Sequence, residues 1–555
     1  MEFKKKDDHI PDYARVERQE MLIGLGYADN ALERPQIGVV SSWGEINPAA
    51  ANLDRVVASV KDGIWAAGGT PREFVISSLC TSMAGNDNYH LPHRDIIAAY
   101  IEAAVLTNLF DGMVFVPVCD DVVPGHLMAA ARLDLPSIFI TGGYMPTNRY
   151  KGEILDPLAV APRYYKDFKQ KKLDQHDYYQ MRNRACPGAG ACPVMGTANT
   201  MASMVEALGM SLPGTAVLPG SDSRLLRAGF DVGRQIVKLL HQDIKASQIM
   251  TFNAFKNAIR LLMAIGGSPN AVLHLTAIAS ELGLEIQPDT FNAISKETPF
   301  ICDVAPSGSA KYNLGDLDEA GGIPCVMKEL MSLLDTDVMT VTGHSLERNL
   351  EIVQPGDRKV IFSIEEPIDR EGGLLFLRGN LAPDGALIKR SAVPKALFQH
   401  KGPAKIFRTE DDACDALDKD EIKPGDVVIV RNVGVIGAPG MGLQQRFLWQ
   451  LSAKGYQDKV AFITDGRLSG TNKGCAVAHV TPEAAVGGPL AIVEEGDIIE
   501  IDVINHQLNV VLSLEKIEER YKNWKPSSQK PERGFLSIYV KMAKSADKGS
   551  ALNYG

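Results

Sequence analysis

Between residues 36 and 143, short apolar runs alternate with stretches whose apolar residues recur at helical spacing. This alternation constrains the fold more than any other feature of the chain. Residues 36–42 (QIGVVSS) read as a strand, and residues 52–67 as a helix with Val56, Val57, Val60 and Ile64 on one face. Gly68-Gly69 ends that helix, because glycine takes the left-handed conformation at little cost. A strand at 74–78, a helix at 95–109, a strand at 112–118, a helix at 125–133 and a strand at 135–141 continue the series. Strands separated by helices cannot pair as hairpins, so the pattern predicts an α/β fold with a mostly parallel sheet covered by helices.

The pattern changes near residue 370. A polar, aromatic excursion at 150–184 and a long helical region at 197–284 precede the change. Strand-like runs then dominate, at 373–377, 405–408, 426–431, 459–464 and 489–494. In 496–512, Ile499, Ile501 and Val503 share a face, Asn505-His506-Gln507 reads as a turn, and Leu508, Val510 and Leu512 resume the alternation. We expect an α/β domain over 1–370 and a β-rich, barrel-like domain over 371–555, with a polar tail from 523 lying on the surface.

The net charge of -10 argues against a phosphate-binding surface, so small-molecule chemistry is expected and no nucleic-acid partner. No run approaches the roughly 18 apolar residues of a membrane span, and the N-terminus lacks the apolar stretch of a signal peptide. Eight cysteines in 555 residues are too few for a disulfide framework. They predict a cytoplasmic protein with reduced thiols, in which grouped cysteines serve metal binding or catalysis.

Cys119 ends a buried strand and precedes Asp120, Asp121 and a helix, where ligands gather in open α/β sheets. A thiolate beside a helix N-terminus is stabilised by the helix dipole, and two adjacent carboxylates offer hard oxygens to a cation such as Mg²⁺. A buried structural cysteine with two helix-capping aspartates fits the same residues. Cys192 stands in a Gly/Ala-rich loop before a helix, too far from Cys119 for a local zinc signature. Cys186 is either a third thiol or a loop residue without function. Ser469, displayed after the strand and turn of KVAFITDGRLSG, reads as a nucleophile or base needing strong activation, or as a turn serine. His479 would either orient it or be structural. Cys302, Cys325, Cys414 and Cys475 show no ligand-like spacing and are assigned to core or surface.

The segments SSWGEINP (Ser41 to Pro48), VCDDVVPGHLMAAARLDLPSIFITGG (Val118 to Gly143) and GTANTMASMVEALGMSLPG (Gly196 to Gly214) carry a resemblance. AIGGSPNAVLHLTAIA, LRGNLAPDGALIK, ITDGRLSG and TPEAAVGGPLAIV continue it nearly end to end. The chain resembles the family of dihydroxy-acid, 6-phosphogluconate and aldonate dehydratases. That resemblance implies an iron–sulfur cluster, 2Fe–2S or 4Fe–4S, acting as Lewis acid on the C3 hydroxyl, and a Mg²⁺ ion holding the carboxylate and C2 oxygen of a hydroxy-acid substrate. It also implies a serine alkoxide that removes the C2 proton, giving a 2-keto acid, and a homodimer or homotetramer. On this pattern Cys119 and Cys192 are cluster ligands, Asp120 binds Mg²⁺ and Ser469 is the base.

Other positions depart from the pattern. A family cysteine falls at Ala49, a Mg²⁺-binding acid at Thr81, a lysine at Asp121 and a glutamate at about Leu443. Either the site is rebuilt, with Cys80 as substitute cluster ligand, Asp121 as metal ligand and Asp87, His90 or His93 completing the cation shell. Or the metal site is lost, leaving another catalyst or a binding or regulatory protein on this fold. The reading taken forward is the dehydratase.

Overall fold

The computed structural model describes residues 10–83, 87–155, 157–309, 311–526 and 533–554. The alternation builds one parallel sheet from β1 (Gln36–Ser41), β2 (Thr70–Val75), β3 (Gly112–Val116) and β4 (Ser137–Phe139), in the order β2-β1-β3-β4. The helices α1 (Leu53–Ala66), α2 (His90–Asn108) and α3 (Val122–Leu133) connect and cover them. Val39, Val40, Val114 and Phe115 are fully buried, as continuous apolar strands must be when helices lie on both faces. Two boundaries shift for local reasons. Strand β2 begins at Thr70 because Thr70, Pro71 and Arg72 pair with Gln36, Ile37 and Gly38, although Pro71 and Arg72 interrupt the apolar pattern. Helix α2 begins at His90, since Pro92 sits in a first turn whose N–H groups need no helical partner.

Beyond this sheet follow α4 (Thr197–Ala207), α5 (Ser223–Gln242), α6 (Phe252–Ala264) and α7 (Asn270–Glu281). Helix α5 lies directly on α1 through two glycines. A Cβ at Gly63 would stand 2.0 Å from the Phe230 carbonyl, and one at Gly233 2.1 Å from the Val60 carbonyl. No side chain fits either position.

The C-terminal strands form a closed eight-stranded barrel, as the β-rich reading expects. They are β5 (Leu375–Gly379), β6 (Ala382–Ile388), β7 (Gln399–Phe407), β8 (Val427–Val430), β9 (Ala461–Thr464), β10 (Ala476–Thr481), β11 (Ile498–Asp502) and β12 (Gln507–Val510). The order around the barrel is β8-β9-β10-β6-β5-β12-β11-β7. In β8, Val427 and Ile429 fill the interior, while Val428 and Val430 pack under the outer helices α8 (Glu410–Asp418) and α9 (Arg446–Ala453). The run VVIV is therefore apolar throughout. The β11–β12 hairpin buries Ile499, Ile501, Val503, Leu508 and Val510 as their alternation requires.

Two expectations are corrected. Residues 489–494 are not a strand: Pro489–Ile492 is a 3-10 turn opened by proline, which cannot donate to a ladder. Nor does the tail lie wholly on the surface. Helix α10 (Phe535–Met542) buries Tyr539 against Leu91, Leu273 and Met441, and Ser550 and Ala551 are buried after it. Arg94 donates to the Gly549 carbonyl, and Asp95 accepts from the Leu552 amide. Among the described residues no helix is long and apolar enough to cross a membrane.

Candidate active site

The loops leaving β1, β2 and β3 meet the barrel loop after β9 around a cavity of about 220 Å³. Its walls carry Cys80, Cys119, Asp120, Cys192 and Ser469, with Ala49 and Thr81 beside them. Residues remote in sequence thus converge at the carboxyl ends of parallel strands. Cys119 has φ of +88°, a left-handed conformation that costs a non-glycine residue about 1–2 kcal/mol. The turn aims its thiol at Cys80. A hydrogen bond from Cys119 is the main reason that the Cys80 thiol falls to about 7, and the same bond, with burial, pushes Cys119 well up.

Burial, reinforced by the neighbouring Asp121 charge, raises Asp120 to about 6. Its carboxylate accepts from the Ala198 amide in the first turn of α4 and from Thr81 Oγ1 at 3.4 Å. Asn199 Nδ2 donates to the Cys192 carbonyl at 2.6 Å and to that of Val194 at 2.8 Å, which fixes the Cys192 loop. Asn47, 1% exposed, donates to Ser78 Oγ at 2.8 Å and also contacts the Cys119 thiol.

Asp121 is placed differently. It does not line the cavity, and it caps no helix amide at the start of α3. Its Oδ1 accepts from Arg467 Nη1 at 3.1 Å and lies 3.4 Å from His274 Nε2, while Oδ2 faces His90 Nδ1 at 3.7 Å. Burial acts to raise this carboxyl, but Arg467, His90 and His274 outweigh it and hold Asp121 well below the usual carboxylate range. The expectation that Asp121 offers its oxygens to a metal meets a guanidinium already bound to it. His93 is drawn down to about 4, chiefly by burial. The Asp87 side chain lies outside the described residues.

Ser469 Oγ pairs with Thr471 Oγ1 at 2.8 Å. His479 instead lies beside Arg467, and burial brings it to about 3. Its amide donates to the Gly466 carbonyl, a structural role. Cys302, Cys325, Cys414 and Cys475 are buried and Cys186 is exposed, though Cys186 borders the cavity.

Lys389, just beyond β6, was not singled out by the sequence. It is 5% exposed and donates to the Gly470 carbonyl at 2.9 Å, next to Ser469. Burial, then the Lys473 charge, lowers it to about 7. An unfolded lysine titrates near 10.4. From about pH 7 to about pH 10 the unfolded chain therefore binds the extra proton, stability rises with pH, and the burial cost is complete below about pH 7. We predict that Lys389→Met gains on wild type as pH falls, by roughly 2–3 kcal/mol between about pH 9.5 and about pH 6 in urea titrations. A difference independent of pH would show that the lysine is not buried as a charged group.

The missed residues Asn47, Asn199, Lys389 and Arg467 lie inside or beside the segments that carried the resemblance. Their types alone gave no signal, because each acts on a partner distant in sequence.

Comparison with known proteins finds relatives over nearly the whole chain. The description "Dihydroxy-acid/6-phosphogluconate dehydratase N-terminal" matches residues 34–349, and its C-terminal counterpart matches residues 359–550. The chain belongs to the dihydroxy-acid/6-phosphogluconate dehydratase family. It is 44% identical to the dihydroxy-acid dehydratase of Acetivibrio thermocellus over 543 residues, covering 97% of this chain and 98% of that one. The dihydroxy-acid dehydratase of Moorella thermoacetica is 43% identical, with 97% and 98% covered. That of Methanobrevibacter smithii is 41% identical, with 99% and 100% covered. By this family membership the chain is an enzyme of the hydro-lyase class.

The family's cofactors are tested differently by these residues. Among the described residues, no group of three or more His, Cys, Asp or Glu side chains is set around a single metal ion. An iron–sulfur cluster makes another demand, for thiolates spread around a larger body. Cys80, Cys119 and Cys192 on one cavity supply that donor chemistry, so a cluster fits. A divalent cation between Asp120 and Asp121 does not, because Arg467 occupies Asp121.

Proposed function

We propose that the chain dehydrates a 2,3-dihydroxy acid or an aldonate to the 2-keto-3-deoxy acid. Residues 1–370 supply the cluster-binding wall of the cavity and residues 371–555 supply the base. The observation that carries this reading is the convergence of Cys80, Cys119, Cys192, Asp120 and Ser469 on one cavity. Cys80, Cys119 and Cys192 would hold the iron–sulfur cluster, which when bound supplies a Lewis acid for the departing C3 hydroxyl. Ser469 Oγ takes the C2 proton. The C2–H electron pair becomes the C2–C3 double bond, the hydroxyl departs with the C3–O pair and takes the proton from Ser469 to leave as water, and the enol tautomerises to the ketone. Thr471 orients the serine, and Lys389, donating to the next carbonyl, holds that loop. Asp120 and Thr81 form the polar wall against the substrate hydroxyls. A cytoplasmic homodimer or homotetramer belongs to the same reading.

The test is iron and sulfide analysis of anaerobically purified protein, followed by a keto-acid assay on a panel of dihydroxy acids and aldonates. Stoichiometric iron with keto-acid formation is expected. Iron-loaded protein that yields no keto acid from any panel member would refute the proposal.

A narrower expectation concerns the replacement of the missing cysteine at Ala49. Cys80→Ser should lose at least half of the iron, and Cys186→Ser should keep it, both read by metal analysis. Equal iron in wild type and Cys80→Ser would remove Cys80 from the ligand set.

A further inference from the structure

In place of a divalent cation, the corner formed by Asp120 and Asp121 holds a built-in one. We infer that this chain binds no Mg²⁺ there, and that the guanidinium of Arg467 supplies the positive charge instead. Asp121 is 3% exposed, Arg467 1%, His90 3% and His274 0%. Within this closed group, Arg467 Nη1 donates to Asp121 Oδ1 at 3.1 Å, and Arg467 Nε donates to the Met441 carbonyl at 2.7 Å. An arginine does not lose its proton in a protein, so the Asp121 charge is neutralised at every working pH.

The groups around this pair leave a cation poorly served. Arg467 Nη2 is buried without a hydrogen-bond partner, so the cluster holds a further positively charged N–H group. Asp121 Oδ2, also without one, faces an imidazole nitrogen. Arg94 closes the cluster from behind, with Nη1 3.4 Å from His274 Nδ1. Leu443, whose backbone bridges to Arg467, is buried and brings only carbon. On the cavity side, Asp120 is engaged by Thr81 and by the Ala198 amide. Mg²⁺ demands an octahedron of oxygens and tolerates no guanidinium in its first sphere. With Asp121 taken by Arg467, Asp120 is the single carboxylate of this pair left to anchor an ion whose remaining positions water would fill.

The metal requirement of this chain therefore divides, with iron kept and magnesium dispensed with. The claim that catalysis proceeds without magnesium rests on the proposed function, whereas the claim that no ion binds does not.

The test uses Mn²⁺ as a spectroscopic probe of a Mg²⁺ site, on the full chain purified without chelator. Wild type should take up no Mn²⁺ at this corner by electron paramagnetic resonance, and its melting temperature should not respond to Mg²⁺ or EDTA. The Arg467→Gln variant leaves buried Asp121, next to Asp120 in the chain, without its counter-charge. It should bind about one Mn²⁺ per chain and melt higher with Mn²⁺ than without. Wild type binding one Mn²⁺ per chain, with that binding lost in Asp120→Asn, would overturn the inference. So would a folded Arg467→Gln that takes up none. If Arg467→Gln does not fold, the wild-type titration still decides. These readings need no turnover, so an inert protein free of Mn²⁺ would sink the proposed function and leave this inference standing.

Discussion

Ser469→Ala lowers kcat by about a thousandfold and leaves iron content unchanged, the size of effect that a positioned proton acceptor contributes. The expectation follows from the placement of the hydroxyl on the same cavity as the thiols, carried there by the barrel while the cysteines come from the N-terminal part of the chain. On the proposed function Ser469 acts on the C2 proton only in the transition state, so the loss should show in kcat more than in KM. Thr471→Val gives the graded control. It removes the hydroxyl 2.8 Å from Ser469 Oγ and should cost about tenfold in kcat through orientation. Steady-state kinetics on anaerobic protein, beside metal analysis, check both. A Ser469→Ala variant within a few-fold of wild type would move the base elsewhere.

The second large effect is on stability. Asp121→Ala leaves Arg467 buried without a counter-charge, and breaking one side of a buried pair costs about 3–5 kcal/mol. Asp121→Leu combined with Arg467→Met should recover most of that loss, because apolar groups of similar volume need no compensation. The pH dependence has a defined sign. The Asp121 carboxyl is depressed in the folded chain, mainly by Arg467 working against burial. Its stabilisation is therefore fully present above the unfolded value near 3.9 and is lost as pH falls toward the folded one. Urea titrations of wild type and Asp121→Asn should differ by a constant amount from about pH 7 to about pH 8, where Asp120 is ionised in both, and converge below about pH 4. A single Asp121→Ala that unfolds like wild type would show that the pair is held by its surroundings and contributes nothing itself.

These two expectations differ in how far the sequence alone could reach. Cys119, Asp120, Cys192 and Ser469 stand in segments legible in the linear chain, near strand ends or in loops before helices, but their proposed roles came from the resemblance those segments carry and not from spacing. The parallel sheet was equally legible, since its apolar strands and helix spacings are properties of neighbours in sequence. The barrel was legible in kind through the alternation of Ile499, Ile501 and Val503, but its closure depends on β7 pairing with both β8 and β11. No local pattern encodes that.

What only the tertiary structure decided is the meaning of Asp121. Beside Asp120 in sequence it reads as half of a cation site. Folded, it faces the other way onto Arg467, a residue 346 positions along the chain. The buried tail follows the same rule, because the polar character of 523–555 hides the face of α10 on which Tyr539 is buried. Periodicity reports whether a side chain points inward; it does not report which charge waits there. That depends on long-range packing, and in a buried site the partner sets whether a carboxylate binds a metal or an arginine.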